Sequence, residues 1–176
     1  MKKTAKITLC AMMVALVSVF MLTSYFPYLT YSIPAVAGIF IMIAVIETDK
    51  KWAFLSYFAS SVIVFFLAEP EAKSLYIVFF GYYPITKAVL ENINNRLIEY
   101  VLKFAAFNAA VILAYVVFAE ILGVSYGDMN EFGKYTVLIL LFGANVIFPI
   151  YDIALSRVAG FYMVRVHPSV CKFFRL

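Results

Sequence analysis

Apolar residues run along this chain in long, nearly unbroken stretches, each closed by a short group of charged or turn-forming residues. A helix that crosses a bilayer needs about 20 mostly apolar residues, with a range of roughly 17–25. Six stretches meet that measure: 7–23, 28–46 with its start near either Tyr28 or Ile33, 52–68, 74–90, 100–122 and 135–157, the last able to run on toward Val166. The runs are continuous rather than alternating, which favours helices over the strands of a membrane barrel. Spans of that length use about two-thirds of the chain and leave no room for a soluble domain. The pattern predicts an all-α membrane protein, a six-transmembrane-helix bundle forming a single integral membrane domain over 1–176. Pro34 falls in the expected first turn of the second helix, where proline is tolerated.

Composition narrows the class. Hydrophobic residues make up 65% of the 176 positions, against roughly 45–50% in a soluble domain. Charged residues are 14%, against about 25%. A globule of this size cannot bury so much apolar surface and would aggregate. A soluble enzyme, a nucleic-acid-binding domain and a disordered chain are therefore excluded. Met1-Lys2-Lys3 before an apolar run resembles a signal peptide, but no small-residue cleavage site follows, so the segment reads as a retained first helix. The hydrophobic region lies after Cys10 rather than before it, which argues against a lipoprotein anchor.

Charge sets the expected orientation. With the N-terminus inside, 12 of the 14 basic residues fall on the cytoplasmic side, leaving Lys73 and Lys134 outside. The positive-inside rule then selects N-in and C-in, with both termini cytoplasmic. The outer loops carry Glu69, Glu71, Glu120, Asp128 and Glu131 instead. The net charge of +4 thus describes a basic rim, including Lys87, Arg96 and Lys103, rather than a nucleic-acid-binding stripe. Cys10 and Cys171 both map near the reducing side, where no structural disulfide is expected.

The sequence carries no Walker-type phosphate loop, Gly-x-Ser-x-Gly or His-Glu-x-x-His, so no ATP site or common hydrolase chemistry is expected. His167 is the only histidine, and no His/Cys/carboxylate group has metal-ligand spacing, so no metal and no cofactor are expected. The chain does not read as an enzyme. Any ATP-driven motor must be another chain.

Four features remain as candidates. Thr8, Ala11, Ala15 and Ser18 form one stripe on the first helix, with Ala11 and Ala15 a small-x-x-x-small pair. Such a pair lets another helix approach closely, either a partner subunit or a neighbour in this bundle. The loop Tyr25 to Pro34 is uncharged and rich in aromatics. Tyr28 and Tyr31 there belong either to an interfacial belt or to a gate over a ligand pocket. Gly81-Tyr82-Tyr83-Pro84 interrupts the fourth span. Tyr83 lies about 12 Å from its outer end by helical rise, at either a structural kink or a binding site. Finally, Lys87, Glu91 and Asp152 share the inner third of the membrane, as an ion pair that clamps helices or relays protons. Asn145 near mid-depth, and more weakly Asn108, needs hydrogen-bond partners and can supply them to a ligand.

In this order the features resemble the S components of energy-coupling-factor (ECF) vitamin transporters. The resemblance rests on the Ala-x-x-x-Ala of the first helix, the long outer loop over Tyr25 to Ser32, and the last helix through Asn145, Pro149, Asp152 and Arg157. It implies a membrane-embedded substrate-capture subunit for a micronutrient. Ala11 and Ala15 would dock on a transmembrane coupling subunit driven by separate ATPase subunits. Tyr28, Tyr31, Tyr83 and Asn145 would face the small-molecule ligand. No vitamin-specific signature accompanies these residues. Two other classes compete: a small polytopic scaffold of envelope or cell-shape machinery with no ligand, and a secondary transporter using Lys87 and Asp152 as a relay. The second lacks the internal repeat that many such transporters carry. A polar outer cavity at Tyr83 and Asn145 distinguishes the capture subunit from the scaffold, whose bundle is filled.

Overall fold

The computed structural model describes residues 3–26, 28–93, 95–113 and 136–173, and every regular element in them is helical. In chain order these are α1 (Lys3–Leu22), α2 (Ser32–Glu47), α3 (Lys50–Leu67), α4 (Pro70–Leu75), a π-helical segment (Tyr76–Phe80), α5 (Tyr83–Leu90), α6 (Arg96–Leu113), α7 (Thr136–Arg165) and α8 (His167–Phe173), with a single 3-10 turn (Thr23–Tyr25) after α1. Among the described residues, three helical stretches are long and apolar enough to cross a membrane: Lys3–Tyr25, Lys50–Leu67 and Leu141–Arg165. Ser32–Glu47 is a shorter apolar helix. The expected span 100–122 is described only to Leu113, and Glu120, Asp128, Glu131 and Lys134 lie outside the described residues.

Boundaries differ from the hydropathy pattern where local chemistry intervenes. α1 takes in Lys3 and Lys6, because Lys6 finds an ion-pair partner in Asp49 at the α2–α3 turn. Of the two expected starts of the second span the helix takes the later, at Ser32 beside Ile33, because Tyr28 has a φ of 72° and opens a turn. That left-handed backbone costs an L-residue about 1–2 kcal/mol. α7 carries 30 residues through Pro149 to Arg165, about 45 Å at 1.5 Å per residue.

The bundle is built around α2. This helix is apolar on all sides, as a core helix should be, and packs on α1, α3, the π segment, α5 and α7. α3 shows the arrangement inside out. Ala53, Ser56, Ser60 and Val64 face the bundle, while Phe54, Leu55, Phe58 and Phe66 point outward. Small inward residues let α3 lie close to α1 and α2, and packing of that kind replaces the hydrophobic drive absent in lipid. Side-chain bonds pin both ends. The start of α1 and the α2–α3 turn meet through Lys6 and Asp49. At the other end, the Glu69 N–H donates to Ser24 Oγ (3.4 Å), Thr30 donates to Glu69 (2.9 Å) and Tyr31 donates to Glu71 (2.9 Å).

The fourth hydrophobic run is broken as its Gly and Pro predict. Gly81 N–H reaches back five residues to the Tyr76 carbonyl (2.8 Å), and α5 restarts with Pro84 in its first turn. The widened turn leaves carbonyls without helical donors. Tyr57 Oη of α3 donates to one of them, Ile77 O, at 2.7 Å. Gly38 of α2 accommodates the same region. A Cβ there would lie 2.6 Å from the Phe80 carbonyl oxygen and 2.9 Å from Tyr151 Oη. A Cβ on Gly143 of α7 would meet nothing within 4 Å. We expect Gly38→Ala to cost about 1–3 kcal/mol through overpacking against fixed backbone. Gly143→Ala should be neutral or stabilising by up to about 1 kcal/mol. Thermal unfolding of the two variants in detergent checks the contrast, and equal melting temperatures would contradict the close approach.

Candidate functional site

α5, α6 and α7 meet at a buried carboxylate, Asp152. Lys87, one helical turn past Tyr83 on α5, pairs with Asp152 Oδ1 and lies 2.8 Å from Glu91, four residues further on. Tyr83, wholly enclosed, donates its hydroxyl to the same Asp152 oxygen at 2.6 Å. From α6, Lys103 reaches Asp152 Oδ2 and Glu91 at 3.4 Å each and Glu99 at 2.6 Å. Three carboxylates thus share two ammonium groups, and the network runs from exposed Glu91 to buried Tyr83. The opposite charges offset the cost of burying Lys87, Lys103 and Asp152, which none of the three could bear alone.

Lys87, Glu91 and Asp152 thus lie together, with Lys87 between the two carboxylates. Two further members escape the sequence pattern. Lys103, a cation of the cytoplasmic rim by its position in the chain, is only 2% exposed and belongs to the cluster. Glu99 joins it there. A signal for both exists: Lys87–Glu91 and Glu99–Lys103 are each four residues apart, the spacing that joins charges along one helix face.

Above this cluster the centre of the bundle is packed with rings. Phe107 and Phe148 stack at 4.5 Å, and Phe79 lies 4.9 Å from Phe107 and 4.7 Å from Tyr83. One turn before Phe148, Asn145 forms a reciprocal amide pair with Asn108 of α6, at 3.0 and 2.8 Å. Each amide also donates to the carbonyl four residues back, Leu141 for Asn145 and Phe104 for Asn108. Both donors of Asn145 are therefore used within the protein. Tyr28 stands 96% exposed in the α1–α2 turn, and Tyr31 is bonded to Glu71. Tyr28, Tyr31, Tyr83 and Asn145 thus occupy three separate settings: an exposed loop, the ion cluster and the amide pair. A concavity of about 540 Å³ lies instead at the α2–α3 turn, lined by Val45, Thr48, Asp49, Lys50, Lys51 and Trp52.

On α1 the packed face is Leu9, Cys10, Met13, Val17 and Met21, set against α2 and α3. Thr8, Ala11 and Ala15 lie on the other side and are exposed, with Ser18 half-buried. The small-residue stripe therefore does not serve packing among the described helices. Thr8 and Ser18 bond the carbonyls of Thr4 and Val14 at 3.1 and 2.9 Å, which satisfies their hydroxyls on an apolar face.

The fold brings together residues that no metal-ligand spacing in the sequence joins. Glu47, His167 and Cys171 converge where α2 ends and α8 begins, with one ligand atom from each within 4.8 Å of the others. The fold joins Glu47 to a residue 120 positions away, beyond any motif spacing, although His167 and Cys171 share a helix face. Both cysteines are free thiols.

The fold and its sites define an all-helical protein with apolar helices compatible with a membrane. No protein-family model matches the chain, and neither curated proteins nor solved structures match it. We expect Asp152→Asn to destabilise the protein by about 3 kcal/mol, because it leaves two buried ammonium groups short of their shared partner. Tyr83→Phe removes one hydrogen bond to a charged group and should cost about 1.5 kcal/mol. Thermal unfolding in detergent ranks the two; an unchanged midpoint for Asp152→Asn would mean that the cluster does not clamp the helices.

Proposed function

We propose that the chain is a six-span, N-in and C-in plasma-membrane protein that serves as the substrate-capture subunit of a micronutrient uptake transporter. One observation carries this reading: the Ala11–Ala15 stripe faces away from the other described helices while the opposite face of α1 packs on α2 and α3. A small-residue stripe left open on an apolar helix suits close docking of a helix from another subunit. The distribution of basic residues along the chain supports the orientation through the positive-inside rule. The partner in this reading is a transmembrane coupling subunit, turned by ATPase subunits, since this chain has no phosphate loop of its own. The capture subunit takes its ligand outside, near Tyr28 and Tyr31, topples in the membrane and releases it inside. Tyr83 and Asn145 would reach that ligand only if the ring layer and the Asn108–Asn145 pair open.

The packing among the described helices favours a second reading, a polytopic scaffold without ligand. Phe79, Phe107 and Phe148 pack on one another, and the Asn108–Asn145 amide pair is self-satisfied. Both readings use the α1 stripe as a docking face; they part on the ligand.

Co-expression with the coupling and ATPase subunits of the same genome tests the proposal. Ala11→Trp and Ala15→Trp should abolish co-purification while the variants still insert. Phe58→Trp, on the outward face of α3, should leave it intact. Unchanged co-purification of the alanine variants would refute the docking role. Native mass spectrometry of the purified chain should show a bound small molecule, and its absence would select the scaffold.

A further inference from the structure

The Glu47 carboxylate ends an apolar helix yet is fully enclosed, with 0% of its side chain exposed. Its Oε1 accepts a hydrogen bond from Tyr162 Oη at 2.8 Å and lies 2.8 Å from His167 Nδ1. Its Oε2 is buried with no hydrogen-bond partner among the described residues. A carboxylate oxygen in that state loses its hydration without return, and such an atom in a folded protein calls for an unseen water or ion. Cys171, a free thiol, sits one helical turn beyond His167 on α8, with Sγ 3.5 Å from His167 Nε2.

We propose that Glu47, His167 and Cys171 form a binding site for a zinc-type divalent transition-metal ion. The donor set is a carboxylate oxygen, an imidazole nitrogen and a sulfur. Sulfur and imidazole select zinc-type ions over magnesium and calcium, which take oxygen ligands. Charge balances as well. A thiolate and a carboxylate neutralise a dication, and the cysteine proton leaves to solvent as the ion binds. Zinc bonds of about 2.0–2.3 Å place tetrahedral ligand atoms roughly 3.5 Å apart. The cluster, within 4.8 Å throughout, closes on an ion by small side-chain adjustments. Glu47 Oε2 supplies the free lone pairs, and a water completes the fourth position. Tyr162 acts as a positioning residue, since its hydrogen bond to Oε1 orients the carboxylate that binds the metal.

The consequence is mechanical. The ion ties α8 to the end of α2 across 120 residues of sequence. That link anchors α8 at the Lys6–Asp49 end of the bundle.

The test uses the full chain in detergent, purified without a polyhistidine tag and stripped with a chelator. Added Zn²⁺ should bind at one ion per chain by mass spectrometry. Co²⁺ should give visible d–d bands and the near-ultraviolet charge-transfer band of a metal–thiolate bond. Cys171→Ser, a change at a half-buried position that leaves the core intact, should abolish the charge-transfer band. Tyr162→Phe should weaken binding about tenfold while keeping the spectrum. Glu47→Gln should lose binding too, but Cys171→Ser carries the test if that variant misfolds. Substoichiometric zinc, a cobalt spectrum without the thiolate band, or the same spectrum from Cys171→Ser would each overturn the proposal.

Discussion

A carboxylate taken out of water costs several kcal/mol unless opposite charges and hydrogen bonds surround it. Asp152 is placed in that position at the junction of α5, α6 and α7, and the way these three helices face one another meets its demand. Lys87 must approach from α5, so the fourth hydrophobic run has to deliver it at the right depth. Tyr83, one turn earlier, comes with it and donates to the same oxygen. Lys103 has to turn inward from α6 and brings Glu99 with it. The rings of Phe79, Phe107 and Phe148 then pack beside Tyr83 and the charges.

The break at Gly81 serves the same end. A regular helix through Tyr76–Phe80 would carry Lys87 round to another face. The π segment inserts extra chain per turn, and α5 restarts with Tyr83 and Lys87 both turned to Asp152. Tyr57 receives the widened turn, and Gly38 allows it to lie close against α2. The kink is thus a device for aiming charge, built from a glycine, a proline and one phenol on a neighbouring helix.

Residue types tell much about the fold and less about the site. Helicity, the apolar length of the helices and the break in the fourth run are legible because continuous apolar runs favour helices, and glycine and proline interrupt them. The joining of Lys87, Glu91 and Asp152 is legible because charges at similar depth in apolar surroundings seek each other. Lys103 escapes because a lysine near a helix end serves equally well as a rim cation. The Asn108–Asn145 pairing escapes because an amide's need for partners does not say which partner meets it. The side of α1 that faces outward is open as well. Ala11 and Ala15 suit packing in either direction, and only the burial of Leu9, Met13 and Val17 on the other face decides it.

The sequence by itself determined that the protein is helical and apolar, and where its charges stand along the chain. Those properties follow from composition and period, which are local. Only the tertiary structure decided which charges meet, which face of α1 is left open, and that Glu47 lies beside His167 and Cys171. Those outcomes depend on how helices far apart in sequence rotate and pack, and no local pattern carries that information.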